Sequence, residues 1–467
     1  MSTPQIGSTD DTIVALSTAP GVGAIGVIRL SGNDAITITN KVFKGKDLTK
    51  QESHTIHFGT IRNADLPDGK AGKVIDEVLV SLFIAPKSFT KENVVEISCH
   101  GSPFILKQVI KVLLQSGARL AKAGEFTQRA FLNGQFDLAQ AEAVADLINA
   151  DSEASHEAAL KQMRGGFSEQ IKTLREELIH FASMVELELD FGEEDVEFAD
   201  RDDLKKLIND LQAVIVKLIS SFDLGNVIKN GVPTVIAGKP NAGKSTLLNA
   251  LLNEEKAIVS DIAGTTRDFI EDEINLGGIN FRFIDTAGLR ETTDIIEAMG
   301  VKRTQEQMQK ASLIIYMVDM ANDELVDMHR EINKLENLGI PFIVVGNKLD
   351  KAKADIKAAI EKIKGSVLIS AYTKDNLELL KDRILEVVNL DNFKTGDTVV
   401  TNIRHYDNLL KTRDALQDVL NGLGMNVTGD FLAMDIRQAL HYLGEITGEI
   451  TTDDLLANIF SKFCIGK

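Results

Sequence analysis

Gly238-Lys239-Pro240-Asn241-Ala242-Gly243-Lys244-Ser245-Thr246 is the stretch on which the fold turns. It fits the pattern GxxxxGK[ST], and its flanks fit as well: Val232 to Ala237 is an apolar, β-branched run, and Ser245 to Leu252 is patterned as a helix. A strand entering a glycine turn and then a helix aims successive backbone N–H groups and a helix N-terminus at one phosphate group. Lys244 then reaches the terminal phosphates, and Ser245 is placed to hold Mg²⁺. An ordinary βα turn can match such a pattern by chance, so the downstream sequence decides.

Downstream, the parts of a guanine-nucleotide site follow in order. Ser260-Asp261-Ile262-Ala263 leads into Gly264-Thr265-Thr266-Arg267-Asp268, which offers a threonine hydroxyl to the Mg²⁺ shell in a segment whose order depends on the γ-phosphate. Asp285-Thr286-Ala287-Gly288 follows a strand-like run, so its carboxylate can hold a Mg²⁺-bound water and the Gly288 N–H can meet the γ-phosphate. Asn347-Lys348-Leu349-Asp350 closes another: Asp350 can accept from two donors on the edge of guanine, whereas adenine would leave the carboxylate unpaired. Ser370-Ala371 ends the last strand and backs the base. Each tetrapeptide is weak by itself; five parts in this order on these elements specify GTP.

Leu289 stands where a small GTPase usually places a water-orienting glutamine, and a leucine cannot do that work. Hydrolysis therefore needs another way to position water and offset charge beside Lys244. Asn241 can direct its amide oxygen to a monovalent cation next to the phosphates, and Glu297, in the acidic stretch Asp294 to Glu297, can act on water as a base. The alternatives are a turn residue at Asn241 and a solvated helix carboxylate at Glu297.

The 467 residues are too many for one ordinary core. A formal charge of -18 argues against sequence-blind binding to polyanions, so nucleic-acid contact must come through a local basic patch or a partner. Two distant cysteines, Cys99 and Cys464, fit neither a disulfide framework nor a metal site and imply a reducing, cytoplasmic setting. The N-terminus lacks a basic segment followed by an apolar one, and no window approaches the roughly 18 apolar residues of a membrane span.

Outward from the phosphate loop, three structural units emerge. Residues 1–125 read as a small α+β domain, with strand-like runs at Ile25 to Leu30, Glu77 to Ile84 and Val94 to Ile97 and a helix at Phe104 to Gln115. Arg29 and Glu96 sit within two of those strands, where a solvated or ion-paired charge is the plain account. Residues 126–230 turn helical: Ile171, Leu174, Leu178, Phe181, Val185 and Leu189 make one stripe, and Leu204, Leu207, Leu211, Val214 and Leu218 another. The acidic run Asp190 to Asp195 between them reads as a solvated turn.

Residues 231–390 alternate strand and helix, at Val232 to Ala237, Asn280 to Ile284, Leu313 to Val318, Pro341 to Val345 and Val367 to Ile369, which implies a mostly parallel sheet. Residues 391–467 return to helix through Leu409, Leu416, Leu420, Phe431, Ile436 and Leu440. They end on a helix capped at Thr452 or Asp453 that carries Leu456, Ile459 and Phe460. One helical bundle built from two chain segments, with a Ras-like P-loop domain inserted, is the simplest architecture.

Taken together, these motifs resemble the MnmE (TrmE) family, the bacterial GTPases of wobble-uridine modification in tRNA. The likeness runs through DTIVALSTAPGVGAIGVIRLSG, AGEFTQRAFLNGQFDLAQAEAVADLI, GKPNAGKS, DIAGTTRD, DTAGLRE and EITGEITTDDLLANIFSKFCIGK, spanning essentially the whole chain. The resemblance implies a potassium-dependent GTPase that dimerises across its nucleotide faces. K⁺ ligands fall on the Asn241 side chain, the Ser260 and Ile262 carbonyls and the Thr265 segment, Mg²⁺ ligands on Ser245 and Thr266, and the water-orienting glutamate on Glu297.

It also implies a dimerising first domain that binds a one-carbon tetrahydrofolate at Arg29, Glu96 and Gln135 with Lys467 nearby. Gln135 and Val22 depart from the basic residues common in the family. Cys464 becomes either a thiol in the modification chemistry or a free tail cysteine. The family works with the flavoprotein MnmG (GidA), which brings FAD and NADH, to place a carboxymethylaminomethyl or aminomethyl group on the wobble uridine. The rival reading is a regulatory ribosome-binding switch GTPase with no modification chemistry, which leaves the first domain and the cysteine tail unexplained.

Overall fold

The computed structural model describes residues 11–63, 72–190, 201–255, 272–284, 308–309, 311–388, 398–425 and 427–466. The chain divides into two compact units. One comprises residues 1–148, 161–212 and 408–467, the other residues 149–160 and 213–407.

In the first unit a seven-stranded sheet has the order β3-β4-β5-β6-β2-β1-β7, from β1 (Ile13–Leu16), β2 (Ile25–Ser31), β3 (Phe43–Lys44), β4 (Thr55–Arg62), β5 (Val74–Phe83), β6 (Val94–His100) and β7 (Arg119–Leu120). All pairings are antiparallel except β1 with β7. Alternation sends Ile28, Leu30, Val80, Leu82 and Ile97 into one core with α1 (Ala35–Val42) and α2 (Pro103–Gln115), and sends Arg29 to the other face.

Strand β4 escapes an apolar pattern search because its buried side is His57, Gly59 and Ile61 while Ile56 and Phe58 are exposed. Gly59 is required there, since a Cβ would lie 2.5 Å from the Phe43 ring.

The helical part of this unit comprises α3 (Glu125–Leu132), α4 (Leu138–Asn149), the end of α5 (Glu153–Met163) from Lys161, α6 (Gly166–Asp190), and the start of α7 (Arg201–Ser220). Ile171, Leu174, Leu178, Phe181 and Val185 of α6 are buried as the spacing predicts. The α7 stripe runs Leu204, Ile208, Leu211, Ile215 and Leu218; Leu207 and Val214 lie beside it, Val214 41% exposed, because the buried face is centred on Leu204 and leaves these two on its flank.

The second chain segment adds α13 (Ile403–Gly424), α14 (Gly429–Thr447) and α15 (Asp453–Ser461). Helix α14 packs against α6, with Arg175 ion-paired to Glu449 and Arg437 Nε 3.7 Å from Glu186 Oε1, so one bundle is made from two distant segments. Phe431 is 60% exposed and Leu432 takes its inward place. Thr452 caps α15 by accepting from Leu455 N at 3.3 Å, and Leu456, Ile459 and Phe460 are buried.

Among the described residues one stretch, Arg201–Asn230, is long and apolar enough to cross a membrane by length and composition, contrary to the expectation that no window approaches it. Its stripe Leu204, Ile208, Leu211, Ile215 and Leu218 is buried, and the stretch is two helices, the first opening on Asp202, Asp203, Lys205, Lys206 and Asp210 and the second carrying Asp223 and Lys229.

The second unit holds a six-stranded sheet of order β13-β12-β11-β8-β10-β9, from β8 (Val232–Gly238), β9 (Asp272–Leu276), β10 (Ile279–Phe283), β11 (Leu313–Asp319), β12 (Phe342–Asn347) and β13 (Val367–Leu368). Only the edge strand β9 is antiparallel. Helix α8 (Phe222–Asn230) leads into β8; helices α9 (Lys244–Glu255) and α12 (Leu377–Val387) cover one face of the sheet, and α10 (Leu325–Leu338) and α11 (Ala354–Glu361) cover the other.

Residues 149–160, helical in pattern, belong to this unit because Ala154 N donates to Gly278 O at 3.2 Å and Asn280 Nδ2 to Asp151 Oδ2 at 3.0 Å. The strand order reverses at β8, and a crevice at such a switch point, beyond the carboxyl ends of parallel strands, is where ligands of open α/β sheets bind.

Candidate functional site

The phosphate loop leaves β8 at that switch point and enters α9. Its path needs left-handed backbone at Gly238 (φ 146), Asn241 (φ 63) and Gly243 (φ 96). A Cβ on Gly238 would lie 2.5 Å from Met317 O, and one on Gly243 2.2 Å from Asn347 Nδ2. The two glycines of the motif are therefore places where neighbouring strands press against the loop.

Lys244 Nζ donates to Gly238 O and Lys239 O, each at 2.9 Å, so the ammonium is drawn back along the loop. Burial pushes its pKa below the ordinary lysine value, a cost that a bound polyphosphate would offset. Ser245 follows in the first turn of α9, where a hydroxyl can join a Mg²⁺ shell.

The base end is tied to the phosphate end by a residue that the sequence shows only as part of a motif. Asn347, buried at the end of β12, donates from Nδ2 to Ala242 O at 2.8 Å and accepts at Oδ1 from Ala371 N at 3.0 Å. One amide thus fixes the phosphate loop to the Ser370-Ala371 turn. Asp350 is oriented in turn by Ser370 Oγ, which donates to its Oδ1 at 3.0 Å. Lys348 takes a left-handed φ of 66 and places Nζ 2.6 Å from Asp319 Oδ2.

Sequence reasoning missed Asp319; its signal was a lone acid at the end of the apolar run Leu313 to Val318. Burial would raise its pKa, but the Lys348 ammonium, the Asn322 amide and the Ala321 N–H outweigh burial and hold it below the usual carboxylate range.

Asn241, Ala242, Gly243, Lys244, Ser245, Thr246, Asn347, Lys348, Asp350, Ser370 and Ala371 all belong to the second unit. Ser260, Asp261, Ile262, Ala263, Gly264, Thr265, Thr266, Asp285, Thr286, Ala287, Gly288 and Glu297 lie outside the described residues, as does Lys467.

In the first unit Arg29 and Glu96 are register partners across β2 and β6, and Arg29 Nη2 and Nε both meet Glu96 Oε1, at 2.8 and 2.9 Å. The Arg29 guanidinium lies over the rings of Phe89 and Phe126, at 5.6 and 5.8 Å. Phe89 also lines a cleft of about 510 Å³ with Gln135, His54, Phe83, Lys87 and Ser88. Val22 is 90% exposed.

The tail is held by its main chain: Gly124 N donates to Cys464 O at 3.4 Å, Ile465 bridges to Ala123, and Ser17 Oγ donates to Gly466 O at 3.1 Å, while Cys464 itself is exposed. Leu16, against which Gly466 packs, adjoins Ala15, the β1 register partner of Arg29.

A family profile described as the MnmE helical domain matches residues 138–464, and one described as the GTP-binding protein TrmE N-terminus matches residues 12–135. A tRNA modification GTPase MnmE of Cytophaga hutchinsonii is 62% identical over 467 residues, all of both chains. The chain belongs to the MnmE family of tRNA modification GTPases.

The MnmE of Flavobacterium psychrophilum is 54% identical over 465 residues, 98% of this chain and 99% of that one. Among solved structures, the FeoB G domain of Methanococcus jannaschii matches 34% of this chain and 97% of its own at 23% identity, with a TM-score of 0.24. The G domain of the T. maritima FeoB iron transporter matches 33% and 98% at 27% identity, with a TM-score of 0.25. With membership in the MnmE family, the chain is a GTP hydrolase, and the fold expected of it, an α+β first domain, a two-segment helical bundle and an inserted P-loop domain, is the one found.

Proposed function

We propose that this chain is a K⁺-dependent GTPase that uses nucleotide-driven closure of its P-loop domains in a homodimer to control wobble-uridine modification in tRNA. The observation that carries the proposal is the coexistence, in two units of one chain, of a preformed guanine-nucleotide loop and an Arg29–Glu96 pair under aromatic cover. A switch protein that only binds ribosomes has no use for the second.

Asn241 supports the potassium reading: its left-handed φ sets it at the bend of the loop, where an amide oxygen can join a cation's shell. A bound K⁺ there would supply the charge that Leu289 cannot offset. Ser260, Ile262 and Thr265 would complete its ligands, Ser245 and Thr266 would hold Mg²⁺, and Glu297 would orient water. Arg29, Glu96 and Gln135, with Lys467, would hold a one-carbon tetrahydrofolate; the cleft beside Phe89 has the size and polar rim for part of such a ligand.

The partner would be the flavoprotein MnmG (GidA) carrying FAD and NADH, which fits a chain whose charge of -18 leaves much of the tRNA contact to another surface. Cys464, exposed on a docked tail, would be available to that chemistry. The setting would be cytoplasmic.

The deciding experiment compares GTP hydrolysis by the purified chain in KCl and in NaCl, and tRNA nucleoside masses from a strain with and without the gene. A hydrolysis rate at least about tenfold higher in KCl, as expected when a cation replaces an oxyanion-stabilising donor, together with loss of the modified uridine, is the expected result. Equal rates in both salts remove the potassium step, and unchanged tRNA removes the modification.

A further inference from the structure

Lys239 is the second residue of the phosphate loop and works in two directions. Its carbonyl accepts from Lys244 Nζ at 2.9 Å, while its own ammonium reaches out of the loop to Asp327 Oδ2 at 2.7 Å and Asp323 Oδ1 at 3.4 Å. Both carboxylates are fixed by further partners. Asp327 Oδ1 meets Arg330 Nη2 at 2.7 Å, and Asp323 Oδ2 accepts from the backbone N–H of Asp319 at 2.8 Å. Asp319 is the residue that holds Lys348, the lysine of the base-binding turn. A continuous run of charge-assisted bonds therefore joins the start of the phosphate loop to the lysine beside the base.

We propose that Asp323 and Asp327 are positioning residues for nucleotide binding, acting through Lys239 to hold the first peptide of the phosphate loop where its carbonyl can orient Lys244. The proposal rests on the reading of the loop as a nucleotide site. Its physical basis is that a loop with three left-handed residues gains nothing from regular secondary structure and must be held from outside. On the β12 side Asn347 does this through Ala242 O; at the loop's first peptide the ammonium of Lys239 does it against α10. At 38% side-chain exposure such an ion pair adds little to overall stability, so its effect belongs in affinity rather than in melting temperature.

The test uses the full chain and titrates a fluorescent mant-GDP, with steady-state GTP hydrolysis alongside. Lys239→Met should raise Kd for mant-GDP and KM for GTP together, by about fivefold, the upper end for an ion pair exposed to this degree. It should leave kcat within about twofold, because ground-state and transition-state binding lose equally. Lys239→Arg should restore binding, and the nucleotide-free melting temperature should not move with either change.

Asp327→Asn should weaken binding in the same direction, and it carries the test if the Lys239 variant fails to fold. A Lys239→Met chain that binds mant-GDP like wild type overturns the proposal. So does recovery of affinity in the double variant Lys239→Met/Asp327→Asn, because charge repulsion rather than positioning would then explain the loss. Failure of the wild-type chain to bind mant-GDP would instead strike at the nucleotide reading itself.

Discussion

The nucleotide end of the second unit and the Arg29 region of the first are both polar sites in apolar domains, but different atoms make them. Around the phosphate loop the working groups are largely main chain: carbonyls of Gly238, Lys239 and Ala242 receive Lys244 and Asn347, and the N–H of Ala371 closes on the same asparagine. Around Arg29 they are side chains on adjacent strands, covered by Phe89 and Phe126. A site built from backbone tolerates almost no added volume, because the peptide cannot choose another rotamer. A site built from side chains tolerates volume and depends instead on keeping its charges paired.

Volume should therefore break the nucleotide site first. Gly243→Ala combines a left-handed φ of 96 with a Cβ placed 2.2 Å from Asn347 Nδ2. Loss of GTP affinity of about 100-fold, the equivalent of roughly 3 kcal/mol of strain and displaced bonding, is expected by isothermal titration. The sheet core lies away from the loop, so the fold should survive. A variant that still binds GTP normally would show that the loop opens far enough to make its glycines dispensable.

Asn347→Ala is the next largest. It strands Ala242 O and Ala371 N at a position only 3% exposed. The expected cost is about tenfold in affinity for GTP and GDP alike, from the penalty for unpaired buried polar groups. Equal losses for both nucleotides would mark Asn347 as a brace of the whole site. A loss confined to GTP would make Asn347 a sensor of the γ-phosphate instead of a brace.

The same difference explains how far the molecule can be read from its sequence. A backbone-built site is contiguous by nature, so GKPNAGKS, NKLD and the strands that carry them could be read in order, and the parallel sheet followed from their alternation with helices. What eluded sequence was the side-chain bracing from elsewhere: Asp319 under Lys348, and Asp323 and Asp327 on Lys239, are acids in ordinary strand-end, turn and helix contexts whose meaning depends on the turn and α10 folding back to the loop.

In the first domain the Arg29–Glu96 pair spans 67 residues and was nameable only by resemblance; its plain reading as an ion pair on a strand also describes the geometry. Strand β4 was missed because histidine and glycine occupy its inner face, and the α7 stripe was displaced at Leu207 and Val214 because leucine and valine look alike on both sides of a helix seam.

Charge should govern the Arg29 region as volume governs the loop. Arg29→Met keeps much of the aliphatic packing under Phe89 and Phe126 while leaving Glu96 without its partner, both side chains being about a quarter exposed at 21% and 27%. Destabilisation of about 1 kcal/mol, typical of a partly exposed charge-assisted bond, should appear in denaturant unfolding of the full chain, with GTP affinity unchanged. An equal fall in GTP affinity would mean that the two sites are energetically coupled in the free protein, so that charge in one could no longer be separated from volume in the other.

The smallest effect is one of pH, and it separates the units by the sign of their buried charges. Asp11, with Arg119 and Arg129 bonded to it, is held below its ordinary value of 3.8. Burial pushes Glu125 up, but Arg119 and the Lys122 N–H outweigh it, so its carboxyl falls below 4.5. Carboxylates depressed by folding stabilise the native state fully above their unfolded values, and that contribution is lost as pH falls through the folded ones. Lys244 is depressed by burial, so the unfolded chain binds more protons there and its contribution improves only as pH rises toward 10.5, far from this window.

Arg119→Met removes one of the two arginines shared by Asp11 and Glu125, the one that does most to lower both; Arg129 remains. Its melting temperature should lie below wild type at about pH 6, where the pairs are fully formed, and the gap should narrow as pH falls below the ordinary carboxylate values of 3.8 and 4.5 toward the depressed folded ones. Scanning calorimetry of both chains across that range is the check. A gap that stays constant down to about pH 3 would mean that Arg119 contributes through its packing rather than its charge, making the first unit depend on volume after all.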